Sequence, residues 1–274
     1  MCRGPRSAQR EETHMLLHGK RIVITGGVTG IGRASALAMA GNGASVVTMS
    51  RSAPESERAA TVVSALRELG SGSFAHVQVD VTKQDHVDAA FDEAVAVLGG
   101  IDVLVSSAGI EQQKPTENLL ESDLYEQFAV HVLGTAFTNA AAFRYMKPVG
   151  QGSIVNYSSY AGVVTMPQMA AYGAAKAGVI AYTRVIAQEW GPLGIRANVV
   201  CPAVHTELAE TWYSEMSPEK SAEIAAWKQA VIPLTGDLGK PEDAANLNVF
   251  LASDMSSFMT GQLVGIDGGM LMAR

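Results

Sequence analysis

Tyr172-Gly173-Ala174-Ala175-Lys176 places a phenol and an amine one helical turn apart, on one face of a helix. Ser159 lies upstream of them, and a glycine loop, Thr25-Gly26-Gly27-Val28-Thr29-Gly30-Ile31-Gly32, stands near the N-terminus. An ammonium beside a phenol favours the phenolate and is expected to lower its pKa from about 10. Tyr172 then becomes a proton donor and acceptor near neutral pH. The glycine loop supplies a cradle for the phosphates of a dinucleotide. Together they predict hydride transfer between a nicotinamide and a carbonyl or alcohol.

The elements that must position these groups follow from periodicity. Short apolar runs at Arg21–Thr25, Ser45–Met49, Phe74–Val79, Ile101–Val105, Ser153–Tyr157, Arg196–Cys201 and Gln262–Ile266 read as buried strands. Helical patterns separate them at Gly30–Ala40, Glu55–Leu69, Asp85–Leu98, Leu124–Met146, Ala171–Trp190 and Pro241–Leu251. This alternation predicts an α/β fold: a single Rossmann-type, doubly wound parallel sheet of about seven strands, helices on both faces. In such sheets ligands bind beyond the carboxyl ends of the strands. The glycine loop, Ser50, Asp80, Ser106, Ser158 and Pro202 each follow a strand there. Residues 1–18 are expected to form a disordered or extended tail, and 19–274 the dinucleotide-binding and catalytic domain. Within it, residues 203–239 are less regular and should cover the substrate. Met15 is a candidate natural start.

Composition bounds the function. The 274-residue chain is 47% hydrophobic and 17% charged, enough for a sizeable core, with a net charge of −7. It has no basic block, so neither nucleic acid nor an anionic membrane is an expected partner. No apolar run is long enough to span a bilayer. The cysteines, Cys2 and Cys201, form no disulfide framework and suit a reducing, cytoplasmic setting. Cys201 reads as a small buried hydrophobe. No His/Cys set has zinc-ligand spacing, so no metal is expected.

Gly26, Gly30 and Gly32 have the spacing Gly-x-x-x-Gly-x-Gly between a strand and a helix. With Asp80-Val81, Ser107-Ala108-Gly109, the Ser159/Tyr172/Lys176 set and the tail Thr260-Gly261-Gln262-Leu263-Val264-Gly265-Ile266-Asp267-Gly268-Gly269, the chain resembles the short-chain dehydrogenase/reductase family from about Gly19 to Gly269. The resemblance implies that Tyr172 exchanges a proton with the substrate oxygen. Lys176 would hold the nicotinamide ribose and Ser159 would donate a hydrogen bond to the reacting oxygen. The cofactor-binding set it implies is Gly26, Thr29, Gly30, Ile31, Gly32, Ser50, Arg51, Ser52, Asp80, Val81, Ser107, Ala108, Gly109, Tyr172, Lys176, Pro202, Val204 and Thr206. Asp80 would contact adenine.

Cofactor choice turns on the end of the second strand. NAD-preferring relatives carry an acidic residue there; this chain has Ser50-Arg51-Ser52. Arginine attracts a 2′-phosphate, worth about 4 kcal/mol for one pair at ~4 Å and an effective dielectric near 20. NADP(H) is therefore favoured, with NAD(H) as the alternative. Many NADP-preferring relatives place a second basic residue where Thr29 stands; here it is missing.

Three departures from the family pattern stand out. Ser106 and Ser107 replace two asparagines whose amides brace the central strand. Ala203 replaces a glycine in Pro202-Ala203-Val204-His205-Thr206, and His205 reads as a loop residue. His131 replaces the asparagine of Val-Asn-x-x-Gly. Its imidazole titrates near neutral pH, so it either joins a proton relay or contacts substrate, or simply packs on the helix.

Leu208, Trp212, Tyr213, Met216 and Trp227 either anchor the covering segment to the core or line an apolar pocket. The resemblance implies a homotetramer, one interface formed by the long central helix and the small-residue helix after Tyr172. The leading expectation is an NADP(H)-dependent carbonyl reductase or alcohol dehydrogenase acting on a small, fairly apolar substrate. A hydroxysteroid, polyol or acyl-ketone enzyme on the same scaffold is the rival within that class. A non-catalytic NADP(H)-binding sensor or scaffold protein is the alternative outside it.

Overall fold

The computed structural model describes residues 15–207 and 216–271. Seven parallel strands form one sheet in the order β3-β2-β1-β4-β5-β6-β7. They are β1 (Arg21–Thr25), β2 (Ser45–Ser50), β3 (Phe74–Gln78), β4 (Val103–Ser106), β5 (Gly152–Tyr157), β6 (Ile195–Pro202) and β7 (Leu263–Ile266). β4 and β5 are buried at every position, which is why they read as continuous apolar runs rather than alternating ones.

The two faces of the sheet carry separate cores. Ile22, Ile24, Val103 and Val155 pack under α1 (Gly30–Gly41), α2 (Glu57–Leu69) and a helix near the C-terminus that includes Val249 and Leu251. Val23, Val47, Leu104 and Ile154 pack on the opposite face against α3 (Gln84–Leu98) and the long helices that follow. Those are α4 (Glu121–Phe128), α5 (Gly134–Met146) and α6 (Ala170–Trp190); α7 (Pro218–Val231) and α8 (Pro241–Ala252) complete the described helices.

The long central helix is not uniform. α4 and α5 are joined by a π-helical turn, Ala129–Leu133, with His131 at its middle. Extra backbone of this kind re-aims side chains and often marks functional sites. α7 lies within residues 203–239, where the sequence reads as less regular. Its sequence signal is Ser217-Pro218: the serine side chain accepts from Lys220 N–H and proline occupies the first turn. It lacks a clear apolar face, so periodicity does not reveal it.

The expected tail boundary shifts. Met15–His18 forms a turn; Leu17 is fully buried in the core and its N–H donates to the Asn42 carbonyl (3.0 Å). The folded unit therefore starts before Gly19, while residues 1–14, including Cys2, lie outside the described residues. Among the described residues no helix is long and apolar enough to cross a membrane.

The order reverses at β1 and β4, which leave in opposite directions toward β2 and β5. A crevice opens there at the carboxyl end of the sheet. A cavity of about 750 Å³ occupies it.

Candidate active site

One end of the cavity is the turn between β1 and α1, where Gly26, Thr29, Gly30, Ile31 and Gly32 form the wall. Gly26 has φ +68°, a left-handed conformation that a side chain would strain. Gly32 is required for close approach: a Cβ there would stand 2.2 Å from the Gly26 carbonyl oxygen. Thr29 provides no side-chain cap to α1, and the first turn holds no acidic residue. The helix thus presents backbone N–H groups and its positive dipole end to the cavity, the setting that suits a pyrophosphate. These residues fit a dinucleotide.

Ser107 and Ala108 complete the turn through Thr25. Ser107 Oγ donates to the Thr25 carbonyl (2.6 Å) and Ala108 N–H donates to Thr25 Oγ1 (3.2 Å). β4 keeps a side-chain brace of its own, Ser106 Oγ lying 3.1 Å from Thr138 Oγ1, and β5 has another. Asn139 and Asn156 exchange two amide hydrogen bonds of 2.9 Å, and Asn156 also donates to Thr183 Oγ1 at 2.9 Å. This buried pair ties α5 and α6 to β5, and its partners are too far apart in sequence to be paired from spacing.

The Ser50-Arg51-Ser52 turn is held from below. Ser52 N–H donates to Ser50 Oγ (3.1 Å), and the Gln78 amide donates to the Arg51 carbonyl (2.9 Å). His76 Nε2 lies 3.1 Å from the Ser52 carbonyl, which can only accept, so Nε2 carries the proton. Nδ1 then accepts from Thr48 Oγ1 at 2.9 Å. Burial lowers the His76 pKa, the Ser52 bond opposing it, which keeps this support neutral. Arg51 is exposed at the rim. Asp80 accepts from Thr82 N–H and Oγ1 and is held below the usual carboxylate range, chiefly by that hydroxyl and in part by Lys83 and Arg51. Ser50, Arg51, Ser52, Asp80, Val81 and Ala108 do not line the cavity itself, although all sit at the same edge of the sheet.

Ser159, Tyr172 and Lys176 meet at the other end of the cavity. Ser159 stands close enough to the Tyr172 hydroxyl to lower its pKa, and Lys176 Nζ stands 5.6 Å from the Tyr172 ring centre. Lys176 Nζ donates to the Tyr157 carbonyl (3.1 Å). Burial pulls Lys176 down to about 8.

The expected acidic phenol is not what the geometry gives. Tyr172 is partly accessible from the cleft, but its hydroxyl is closely surrounded. Burial first, then the carboxylate of Glu111, push its pKa up; the Ser159 hydrogen bond only partly offsets them. Desolvation of the phenolate outweighs the Ser159 contribution that favours it.

His131 also departs from expectation. It is 1% exposed, and its Nε2 lies 2.8 Å from the Ile110 carbonyl. A carbonyl cannot donate, so Nε2 bears the proton and Nδ1 is a bare acceptor without a partner among the described residues. Burial, then Lys176, drive its pKa to about 2. The imidazole stands edge-on to Tyr172, ring centres 5.4 Å apart, and does not titrate near neutrality.

Pro202, Val204 and Thr206 line the cavity, and the Thr206 Cβ lies 3.5 Å from where a Cβ on Gly30 would be. His205 is a loop residue, 3.3 Å from Asp237. Cys201 is buried, its thiol pushed up to about 11 by burial. Met216 and Trp227 line the cavity, whereas Leu208, Trp212 and Tyr213 lie outside the described residues. Among the described residues no His/Cys/Asp/Glu group could hold a metal. Sequence reasoning missed Glu111, Gln113 and Gln168, which line the cavity from loops without periodic signal.

Comparison with known proteins agrees with this geometry. The family described as enoyl-(acyl carrier protein) reductase matches residues 26–271. The chain is 37% identical to the 3-oxoacyl-(acyl-carrier-protein) reductase of Thermotoga maritima, over 94% of this chain and all of that one. The levodione reductase structure matches with a TM-score of 0.86 and 30% identity, covering 92% of this chain and 98% of the other. A short-chain type dehydrogenase/reductase from Mycobacterium ulcerans matches with a TM-score of 0.85 and 29% identity, covering 94% and 92%.

Proposed function

The chain belongs to the short-chain dehydrogenase/reductase family, and from that premise we propose that it is an NADP(H)-dependent carbonyl reductase or alcohol dehydrogenase. It is an NAD(P)-dependent oxidoreductase acting on CH–OH groups and their carbonyl counterparts; the choice of NADP(H) and of a ketone substrate is our reading. The observation that carries it is the convergence of Ser159 and Lys176 on Tyr172 at one end of a cleft, with the uncapped start of α1 at the other. A sensor or scaffold would have no use for that convergence. Oxidation of NADPH with a panel of ketones and aldehydes is the test; cofactor binding without turnover of any of them would overturn the proposal.

The nicotinamide, when bound, supplies or takes up the hydride. Tyr172 Oη gives its proton to the carbonyl oxygen in reduction and takes it back in oxidation. Ser159 donates a hydrogen bond to that oxygen as charge develops on it. Lys176 and Tyr172 hold the ribose end, Pro202, Val204 and Thr206 the nicotinamide side, and Ser107, Ala108 and Gly109 the adenosine ribose. Asp80 and Val81 bound the adenine side, and Gly26 with Thr29–Gly32 receives the phosphates.

Arg51 recognises the 2′-phosphate, with Ser50 and Ser52 as hydrogen-bond partners and His76 as the support of their turn. Arg51→Asp replaces attraction by repulsion. The expected outcome is a fall of at least about tenfold in the NADPH-to-NADH ratio of kcat/KM. An unchanged ratio would remove Arg51 from cofactor selection.

We assign His131 a positioning role: its Nε2–H ties the π turn to Ile110, and its edge supports the Tyr172 ring. His131→Ala should lower kcat about fivefold, one buried hydrogen bond being worth ~1 kcal/mol, while His131→Asn retains most of it through its amide donor. All three proteins should share one pH–rate shape. An inflection between pH 6 and 7 that only the histidine enzyme shows would restore the titrating relay.

We further propose a homotetramer. Leu120, Leu124, Tyr125, Phe128 and Leu133 form an exposed apolar stripe on the α4–α5 helix. A cytoplasmic setting accords with the reduced, buried Cys201.

A further inference from the structure

The substrate side of the cleft presents acceptors and negative charge, with its nearby cations already engaged. The loop after β4 carries Gly109, Ile110, Glu111 and Gln113 along the wall. It is pinned to the start of α4 by Asp123, which accepts from Gln112 (2.8 Å), Lys114 (2.6 Å) and Leu120 N–H (2.8 Å). The lysine of that loop is thereby taken up by Asp123. Across the cleft, Lys220 is paired with Glu223 at 2.8 Å, and Lys176 donates to the Tyr157 carbonyl.

Glu111 makes no such close pair, although the Lys176 charge acts on it from farther off. Among the described residues no lysine or arginine forms an ion pair with it; its hydrogen-bond partner is the Gln113 amide at 3.4 Å. It is accessible from the cleft mouth, yet close enough to the reacting centre to act on both Tyr172 and Lys176. Partial desolvation raises its own pKa, with Gln113 and Lys176 opposing. His131 is fixed through Nε2 to the Ile110 carbonyl next to Glu111, while its buried Nδ1 faces Gly109 on the Lys176 side. From the covering segment Glu207 and Glu223 line the cavity beside Lys220.

We propose that Glu111 reads the charge of the substrate, so that the cleft selects a carbonyl or alcohol bearing an ammonium group, an amino ketone or amino alcohol. An ammonium would complete the acceptor wall with a charge-assisted hydrogen bond. Carboxylates and phosphate-bearing acyl carriers would meet repulsion. This inference rests on the proposed catalytic reading of Ser159, Tyr172 and Lys176, and deepens it.

The test uses the full chain with NADP(H) and three aryl ketones of similar shape: 4-(aminomethyl)acetophenone, 4-ethylacetophenone and 4-acetylbenzoate. Binding is measured by calorimetry and turnover by NADPH oxidation. The cationic ketone should exceed the neutral one in affinity and kcat/KM by about tenfold, and the anionic one should fall below it by a similar factor. Glu111→Gln should compress the cation-to-anion ratio to within about threefold of unity, and added salt should narrow it in the unaltered enzyme. The salt series decides the matter even if the variant fails to fold. Equal handling of all three ketones, or a charge order insensitive to both salt and Glu111→Gln, would overturn the inference while leaving the oxidoreductase intact. Absence of both binding and turnover with all three would also overturn the inference, whereas the catalytic reading falls only if the wider panel of ketones and aldehydes goes unturned as well.

Discussion

Tyr172→Phe lowers kcat for carbonyl reduction by about 10²–10⁴, the range that a positioned general acid supplies. The phenol lies on the cavity wall beside Ser159 and can give up a proton to a substrate oxygen there. Its neighbours are otherwise committed. The N–H of His131 is bound to Ile110 and its pKa is near 2, while Lys176 donates to the Tyr157 carbonyl. The phenylalanine ring keeps the contacts with His131 and Lys176, so NADPH affinity should stay within about threefold and the loss should fall on kcat. Calorimetric titration with NADPH and single-turnover reduction separate the two. Normal turnover in the variant would refute the assignment.

The pH dependence has a definite sign. Burial and Glu111 hold the Tyr172 pKa above its ordinary value, so the phenol keeps its proton throughout the neutral range. Reduction uses that protonated form and should show no tyrosine inflection from pH 6 to 8. It should decline above about pH 8, where Lys176 loses the charge that favours a negative oxygen nearby. Oxidation needs the phenolate and should rise with pH over the same interval. Parallel profiles in the two directions would contradict this.

Much of the architecture was legible because it rests on short-range signals. The strands of a parallel sheet are buried on both faces, so β1, β4 and β5 announce themselves as apolar runs. Gly26 and Gly32 are legible because only glycine satisfies a left-handed φ or so close an approach, and Tyr172 and Lys176 because one helical turn relates them. What stayed hidden depends on packing. The sign of the Tyr172 shift is decided by desolvation and by Glu111, neither visible in a Tyr-x-x-x-Lys spacing. His131 loses its basicity through burial beside Lys176. The π turn that carries it is one short break within an otherwise helical stretch, too brief for a sequence window to register, and the Asn139–Asn156 pair joins elements distant in sequence.

Gly32→Ala should cost the protein its cofactor while a second glycine substitution in the same helix is tolerated. A Cβ at position 32 would stand 2.2 Å from the Gly26 carbonyl oxygen and 2.8 Å from its carbon. Both are backbone atoms, so no side-chain rotation relieves the contact; the turn or α1 must move. Gly26 has little freedom to yield, since its own Cβ position lies 2.9 Å from the Ser107 carbonyl on the next strand's loop. Such overpacking costs about 1–3 kcal/mol of stability. The larger effect is functional. Displacing the first turn of α1 misaligns the N–H groups offered to the phosphates, and each charge-assisted bond lost is worth about 1.5–3 kcal/mol. The dinucleotide Kd should rise at least about tenfold, read by calorimetry at a temperature where circular dichroism reports a folded chain. Gly41, the last residue of the same helix, has no atom within 4 Å of its Cβ position. Gly41→Ala should therefore leave cofactor affinity unchanged and stabilise the fold slightly, by up to about 1 kcal/mol, through the unfolded state. Equal cofactor affinity in the two variants would mean that the phosphates do not sit at the start of α1.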